Sequence, residues 1–239
     1  MSDTPTPGSG QLALALRFPP DQRLDTFVAE DPAIVASLRA LAQPVDVRES
    51  RRVYVAGASG TGKTHLAIAA CAEATEHGLD AAYVSVRAVA TRLHDALQGL
   101  ESRDLVALDG LEAIAGNRDA EVALFDFHNR MQDAGGALLY TAPAWPDALG
   151  LTLPDLVSRL AQCTRIGLVS LDDAGRAQLL RLRASRRGLQ VDDAAIEWLL
   201  RRMGRDPAGL AQVFDRLDRA ALAAQRGLTV PFLRKVLGE

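Results

Sequence analysis

The sequence is poor in lysine. Of its 27 basic side chains only two, Lys63 and Lys235, are lysines. Where a chain otherwise built on arginine keeps a compact ammonium, a specific need for that ammonium is implied. Cysteine is as scarce: Cys71 and Cys163 stand apart in apolar segments, which excludes a disulfide framework, a zinc site of paired cysteines and a CxxC redox motif. Both read as buried thiols. Excess positive charge is absent too. A net charge of −3 argues against gripping nucleic acid through a broad basic face, so any association with DNA is expected to be indirect. No apolar run approaches the length needed to cross a bilayer. The start, "MSDTPTPGSG", has no basic region before its apolar patch, so no membrane is expected and the protein is assigned to the cytoplasm.

At 239 residues the chain can bury one sizeable core and a small second one. Residues 1–10 are rich in Pro, Gly, Ser and Thr and are expected to form a flexible tail. "QLALAL", Gln11 to Leu16, follows, set apart by "RFPPDQR", where Pro19 and Pro20 enforce an extended path. It fits a peptide ligand, with Gln11 in a small polar subsite and Leu12, Leu14 and Leu16 in an apolar groove. It fits equally an edge strand of the protein's own sheet.

Asp31 as N-cap and Pro32 at the first turn signal a helix running towards Pro44. Strands and helices then alternate. "RRVYVAG", "DAAYVSV", "DLVALDG", "ALLYTAP" and "TRIGLVS" read as strands, and "KTHLAIAACAEATEHG", "RAVATRLHDALQG", "DAEVALFDFHNRMQDAGG" and "LPDLVSRLAQ" as the intervening helices. Such alternation implies a parallel sheet flanked by helices. From Asp172 it stops, and three capped amphipathic helices and a short terminal one follow. The expected division is a tail over 1–20, an α/β domain over 21–170 and an all-α domain over 171–239.

"GASGTGKT", Gly57 to Thr64, matches the P-loop pattern and sits between a predicted strand and helix. Gly57, Ser59, Gly60, Thr61 and Gly62 would turn backbone N–H groups around phosphates, and Lys63 would reach the β and γ phosphates. Thr64 would hold Mg²⁺ together with Asp109, which ends the apolar strand "LVALD". His65 is counted with this nucleotide-binding set, its other reading being a helix residue packed on the sheet. A glycine-rich turn without a ligand is the plainer alternative for the loop as a whole. Hydrolysing proteins of this class place a second acid after the aspartate, and here that place is Gly110. Glu112 either reaches inward or is solvated. Weak intrinsic hydrolysis is the expectation. His128 and Asn129 read as structural polar groups.

With the P-loop, "LVALDGLEAIAG", "LFDFHNRM", "LGLTLPDLVSRL" and the end "LDRAALAAQRGLTVPFLRKVL" in order, the chain resembles the DnaA-type AAA+ family along essentially its whole length. The Hda branch of regulatory inactivators is the closer likeness. The resemblance implies an AAA+ P-loop domain followed by a small helical lid, holding ADP or ATP with Mg²⁺. It implies negative regulation of replication initiation by regulatory inactivation of DnaA, in which DnaA-bound ATP is hydrolysed with an arginine supplied in trans. Arg159 in "LPDLVSRL" occupies that position, although by spacing alone it could pair with Asp155 on the same helix face. "QLALAL" would then tether the protein to the sliding clamp, the beta subunit of DNA polymerase III, and DNA would be reached only through clamp and DnaA. A homodimer engaging two clamp sites is a further possibility.

The sequence departs from DnaA at three places. Pro143 stands where DnaA has an acidic sensor residue, leaving Thr141 as the polar candidate. Ala208 stands at the lid arginine position, with Arg205 nearby. The chain also ends at Glu239 without a helix-turn-helix. The first two favour ADP as resident nucleotide, and the third disfavours an initiator. The competing reading is a free-standing AAA+ ATPase of the helicase-loader or transposition-helper type.

Overall fold

The computed structural model describes residues 18–19, 21–44, 51–202 and 227–238, together with 213, 216, 217, 220 and 221. The "QLALAL" segment, Arg205 and Ala208 lie outside the described residues. Five strands, β1 (Arg52–Gly57), β2 (Ala81–Ser85), β3 (Leu105–Asp109), β4 (Ala137–Ala142) and β5 (Thr164–Leu168), form one sheet in the order β2-β3-β4-β1-β5. Every pairing is parallel. Asp109 is paired with Thr141, and Gly57 with Leu168. The C-terminal ends therefore bring the phosphate loop, Asp109 and Thr141 to one rim of the sheet.

The sheet alternates its side chains between two cores, as the two-residue period requires. Tyr54, Val106, Leu108, Leu138 and Tyr140 enter one, with α5 (Arg118–Ala134) and α6 (Pro154–Ala161) packed over them. Val53, Val55, Leu105, Ala107 and Leu139 enter the other, beneath α1 (Pro32–Leu41) and α2 (Lys63–Glu76). The buried face of α2 is mostly alanine, so that helix lies close to the sheet and holds its N-terminus at the rim. Cys71 and Cys163 are buried in these cores, and burial pushes both thiols up to about 12.

Asp31 caps α1 as expected, accepting the Ala33 N–H at 2.8 Å. The single helix expected over "RAVATRLHDALQG" is instead broken into α3 (Val86–Val89), a 3-10 turn (Ala90–Arg92) and α4 (Leu93–Leu97). Val86, Val89 and Thr91 are β-branched and favour helix weakly. Val89 and Arg92 leave the helical region, at φ −123° and −134°, and Val86, Leu93 and Leu97 still reach the same core.

Beyond β5, α7 (Asp173–Arg186), α8 (Asp193–Arg202) and α9 (Val230–Leu237) build a separate small core around Leu180, Ala184, Ile196, Leu199 and Leu233. Leu217 and Ala221, from the segment expected to be a further helix, are buried in it. This helical unit is tied back to the N-terminal segment by Arg186–Asp25 and Arg187–Asp21 ion pairs. Among the described residues no helix is long and apolar enough to cross a membrane.

Candidate functional site

At the end of β1 the chain turns where only glycine fits. A Cβ on Gly57 would stand 2.8 Å from the Leu168 carbonyl, and Gly60 and Gly62 take φ of +81° and +94°. These left-handed residues let the loop wrap over the N-terminus of α2. Lys63 Nζ lies over the loop and donates to the Gly57 and Ala58 carbonyls at 2.7 and 2.8 Å. Burial holds its ammonium below the ordinary lysine range, opposed by Glu112 and Asp109.

Asp109 is the hub. Its Oδ2 accepts from the Thr64 hydroxyl at 2.8 Å and from the Tyr83 hydroxyl at 2.9 Å, and its Oδ1 accepts from Thr141 Oγ1 at 2.5 Å. Thr141 in turn accepts the Gly110 N–H at 3.0 Å. Burial, then the neighbouring Asp109, pushes the Tyr83 phenol up. A hydroxyl and a carboxylate beside a glycine cradle fit Mg²⁺ bound through phosphate oxygens. Among the described residues no group of three His, Cys, Asp or Glu could hold a metal ion without them.

Gly57, Asp109 and Thr141 thus converge at the strand ends, with Thr64 and Lys63 on the first turn of α2. A cleft of about 920 Å³ opens above them, lined by Ser59 to His65, by the N-terminal segment around Phe27 and by Leu179 and Arg183 of α7. His65 lines this cleft beside the N-terminal segment. Its Nε2 lies 3.0 Å from the Arg23 carbonyl and 3.3 Å from Thr26 Oγ1, and its ring meets Phe27 edge-on at 5.5 Å. It braces the cleft wall, and burial lowers its pKa. Pro143 is exposed, so Thr141 is the polar group that β4 offers to the cleft. Glu112 also lines the cleft, its Oε1 paired with Arg87 at 2.9 Å.

Arg159 lies towards the opposite ends of the strands from the phosphate loop. It sits in the last turn of α6, just before β5 begins, and so at the N-terminal ends of the strands. A five-residue strand at about 3.3 Å per residue separates that level from the phosphate rim by roughly 16 Å. Among the described residues its side chain makes no hydrogen bond or ion pair, and the pairing with Asp155 is not formed. It is half-buried. Beneath it His128, 1% exposed, shares a 2.9 Å hydrogen bond with the Tyr140 hydroxyl, and burial with the charges of Arg52 and Arg159 drives its pKa down to about 4. His128 is structural, as expected.

Three contributors escaped the sequence reading. Phe27 packs on Gly62, and nothing in "LDTFVAED" marks it. Tyr83 carries no signal beyond its strand. Glu121 did carry one, since with Leu124, His128 and Met131 it falls on the buried stripe of α5. Fully buried, it accepts N–H groups of Gly116 (2.8 Å), Thr152 (2.8 Å) and Leu153 (2.7 Å), and the Thr152 hydroxyl at 3.0 Å. It thereby fixes the approach to α6.

Residues 173–237 match the family model "Hda, lid domain", and residues 19–112 match "IstB-like ATP binding protein". The fold is that of domain III of the Thermotoga maritima replication initiation protein DnaA, with a TM-score of 0.78 at 18% identity over 92% of this chain and 97% of that one. AMPPCP-bound DnaA from Aquifex aeolicus matches at a TM-score of 0.67 and 20% identity, covering 86% of this chain and 74% of that one. The Thermotoga maritima RuvB branch-migration motor matches at 0.67 and 19%, covering 90% and 71%. At such identities the likeness shows the shared AAA+ fold.

Proposed function

Because this chain is an Hda- and DnaA-like AAA+ protein of a nucleotide-binding family, we propose that it is a negative regulator of replication initiation. In this reading it binds nucleotide and stimulates hydrolysis of DnaA-bound ATP through Arg159, supplied in trans. The observation that carries the proposal is the position of Arg159: half-exposed, unpaired among the described residues, and a strand's length from the protein's own phosphate loop. A guanidinium so placed cannot serve the cleft of its own chain. Inserted beside the γ-phosphate of a neighbour, it stabilises developing charge and is worth about 10³–10⁵ in rate.

The protein's own cleft would hold ADP, or ATP, as a structural ligand. Gly57, Ser59, Gly60, Thr61 and Gly62 would cradle the phosphates, Lys63 would neutralise them, and Thr64 with Asp109 would hold Mg²⁺. The left-handed backbone at Gly110 leaves the usual second acid out, which favours a slow site. Tethering would come from Gln11, Leu12, Leu14 and Leu16 on the sliding clamp, in the cytoplasm, with a dimer engaging two clamp sites. The domain limits near residues 20 and 170 belong to the same proposal.

The match of residues 19–112 to IstB-like ATP-binding proteins favours a second reading, a self-contained helper ATPase. Both readings share that half of the chain, and the lid match favours the first. The test is the hydrolysis rate of ATP pre-bound to DnaA, with clamp loaded on DNA. Wild type should accelerate it, and Arg159→Ala, Arg159→Lys and Gln11→Ala should lose the acceleration. If DnaA is unaffected while this protein turns over ATP alone, the helper reading replaces the regulatory one.

A further inference from the structure

In the parallel pairing of β2 with β3, Tyr83 stands beside Ala107 and Ser85 beside Asp109. Side chains two residues apart share a face of the sheet, so Tyr83 and Asp109 are diagonal neighbours on the face that α2 covers. Ala107, between them, is small. The Tyr83 ring packs against the core beneath α2 and reaches along the strand, setting its hydroxyl 2.9 Å from Asp109 Oδ2. Thr64, Asp109 and Thr141 line the nucleotide cleft, and Tyr83 holds the carboxylate from behind them.

An ionised carboxylate only accepts, with about four lone-pair directions on its two oxygens. The hydroxyls of Thr64 and Tyr83 fill both directions on Oδ2, at 2.8 and 2.9 Å, and Thr141 Oγ1 takes one on Oδ1 at 2.5 Å. Burial, then the neighbouring Asp109, keeps the phenol protonated and so a donor. Thr64 must also donate its proton to Asp109, which leaves the lone pairs of its exposed oxygen for the cleft. A cation seated on that oxygen finds the nearest carboxylate oxygen already filled, and keeps a water in that place. Mg²⁺, which dehydrates reluctantly and holds several waters, suits such a seat; Ca²⁺, which gathers more oxygens and takes carboxylates directly, does not.

We propose that Tyr83 is a positioning residue that sets the cation preference of the nucleotide cleft: by filling Oδ2 it holds Asp109 in the cation's outer shell and so selects Mg²⁺ over Ca²⁺. The proposal rests on the reading of Thr64 and Asp109 as holders of a nucleotide-bound cation, and it is independent of any action on DnaA.

Tyr83→Phe keeps the ring and removes the donor. On the full chain, titration of fluorescent ADP at rising Mg²⁺ or Ca²⁺ gives the midpoint at which each cation tightens binding. In the variant the Ca²⁺ midpoint should fall relative to the Mg²⁺ midpoint by about tenfold or more, the size of one hydrogen bond to a charged group. ADP affinity without a cation should stay near wild type, which shows the fold intact. Mn²⁺ bound with ADP supplies a second measurement: its water-proton relaxation should drop in Tyr83→Phe, as a carboxylate oxygen replaces one bound water. A purely structural tyrosine would move the urea midpoint and leave both readouts in place. Either readout equal to wild type would overturn the assignment of Tyr83 and leave the cation site standing. A wild type whose ADP binding answers neither cation would overturn the cation site itself, and the assignment with it.

Discussion

Phe27 closes against Gly62: a Cβ on residue 62 would stand 2.6 Å from Cε2 of the ring. The phosphate loop and the N-terminal segment therefore share one contact, and the φ of +94° at Gly62 adds a second reason for glycine. Gly62→Ala should weaken ADP binding at least a hundredfold and cost about 1–2 kcal/mol of stability from the left-handed backbone alone. Phe27→Ala in that background removes the clash and leaves the backbone strain, so it should recover part of the stability. Chemical denaturation and a fluorescent-ADP titration of wild type, Gly62→Ala and the double variant measure both.

Glu121 ties α5 to the segment entering α6. Replacing it with alanine leaves the N–H groups of Gly116, Thr152 and Leu153 without their acceptor in a buried place. A loss of about 3 kcal/mol or more follows, and Glu121→Gln, which keeps one acceptor oxygen, should lose roughly half as much. Urea midpoints read the difference.

His128 makes stability depend on pH. Tyr140 faces it from β4, Arg52 from β1 and Arg159 from α6, and its folded-state pKa of about 4 lies below the ordinary 6.5. The unfolded chain then binds more protons between those values. The neutral ring contributes fully above about pH 6.5, and its contribution is lost as pH falls towards 4, a change on the order of 3 kcal/mol. In His128→Phe the slope of unfolding free energy between pH 6.5 and 4 should flatten, which urea titrations across that range would record.

What was legible from sequence was what repeats or has a fixed spacing. The short apolar runs of β1, β3 and β4, the cap at Asp31, and the loop from Gly57 to Thr64 are all local patterns, and they place the fold and the phosphate rim. The residues that escaped are joined across the fold. Phe27 meets Gly62, Tyr83 meets Asp109, and Glu121 meets Thr152, contacts that no periodicity encodes. The break at Val89–Arg92 was missed for another reason. The apolar spacing there suits a continuous helix, while β-branching weakens it.

The ion pairs Arg186–Asp25 and Arg187–Asp21 join α7 to the wall that Phe27 belongs to, so the two sides of the cleft are fastened together by charge. Both pairs are partly exposed, at 37% and 56% for the first and 21% and 49% for the second, and pairs of that kind contribute at most about 1 kcal/mol to folding. Their effect should appear in the rate at which the cleft opens. Asp21→Asn with Asp25→Asn should leave the denaturation midpoint nearly unchanged and quicken ADP release several-fold. Because the Debye length shrinks from about 10 Å at 0.1 M to about 3 Å at 1 M salt, the separation of such pairs, wild-type release should quicken as salt is raised towards 1 M, and release from the double variant should not. Stopped-flow displacement of fluorescent ADP at low and high salt measures this. Equal rates for the two proteins at every salt concentration would mean that opening is governed by the apolar contacts of the lid instead.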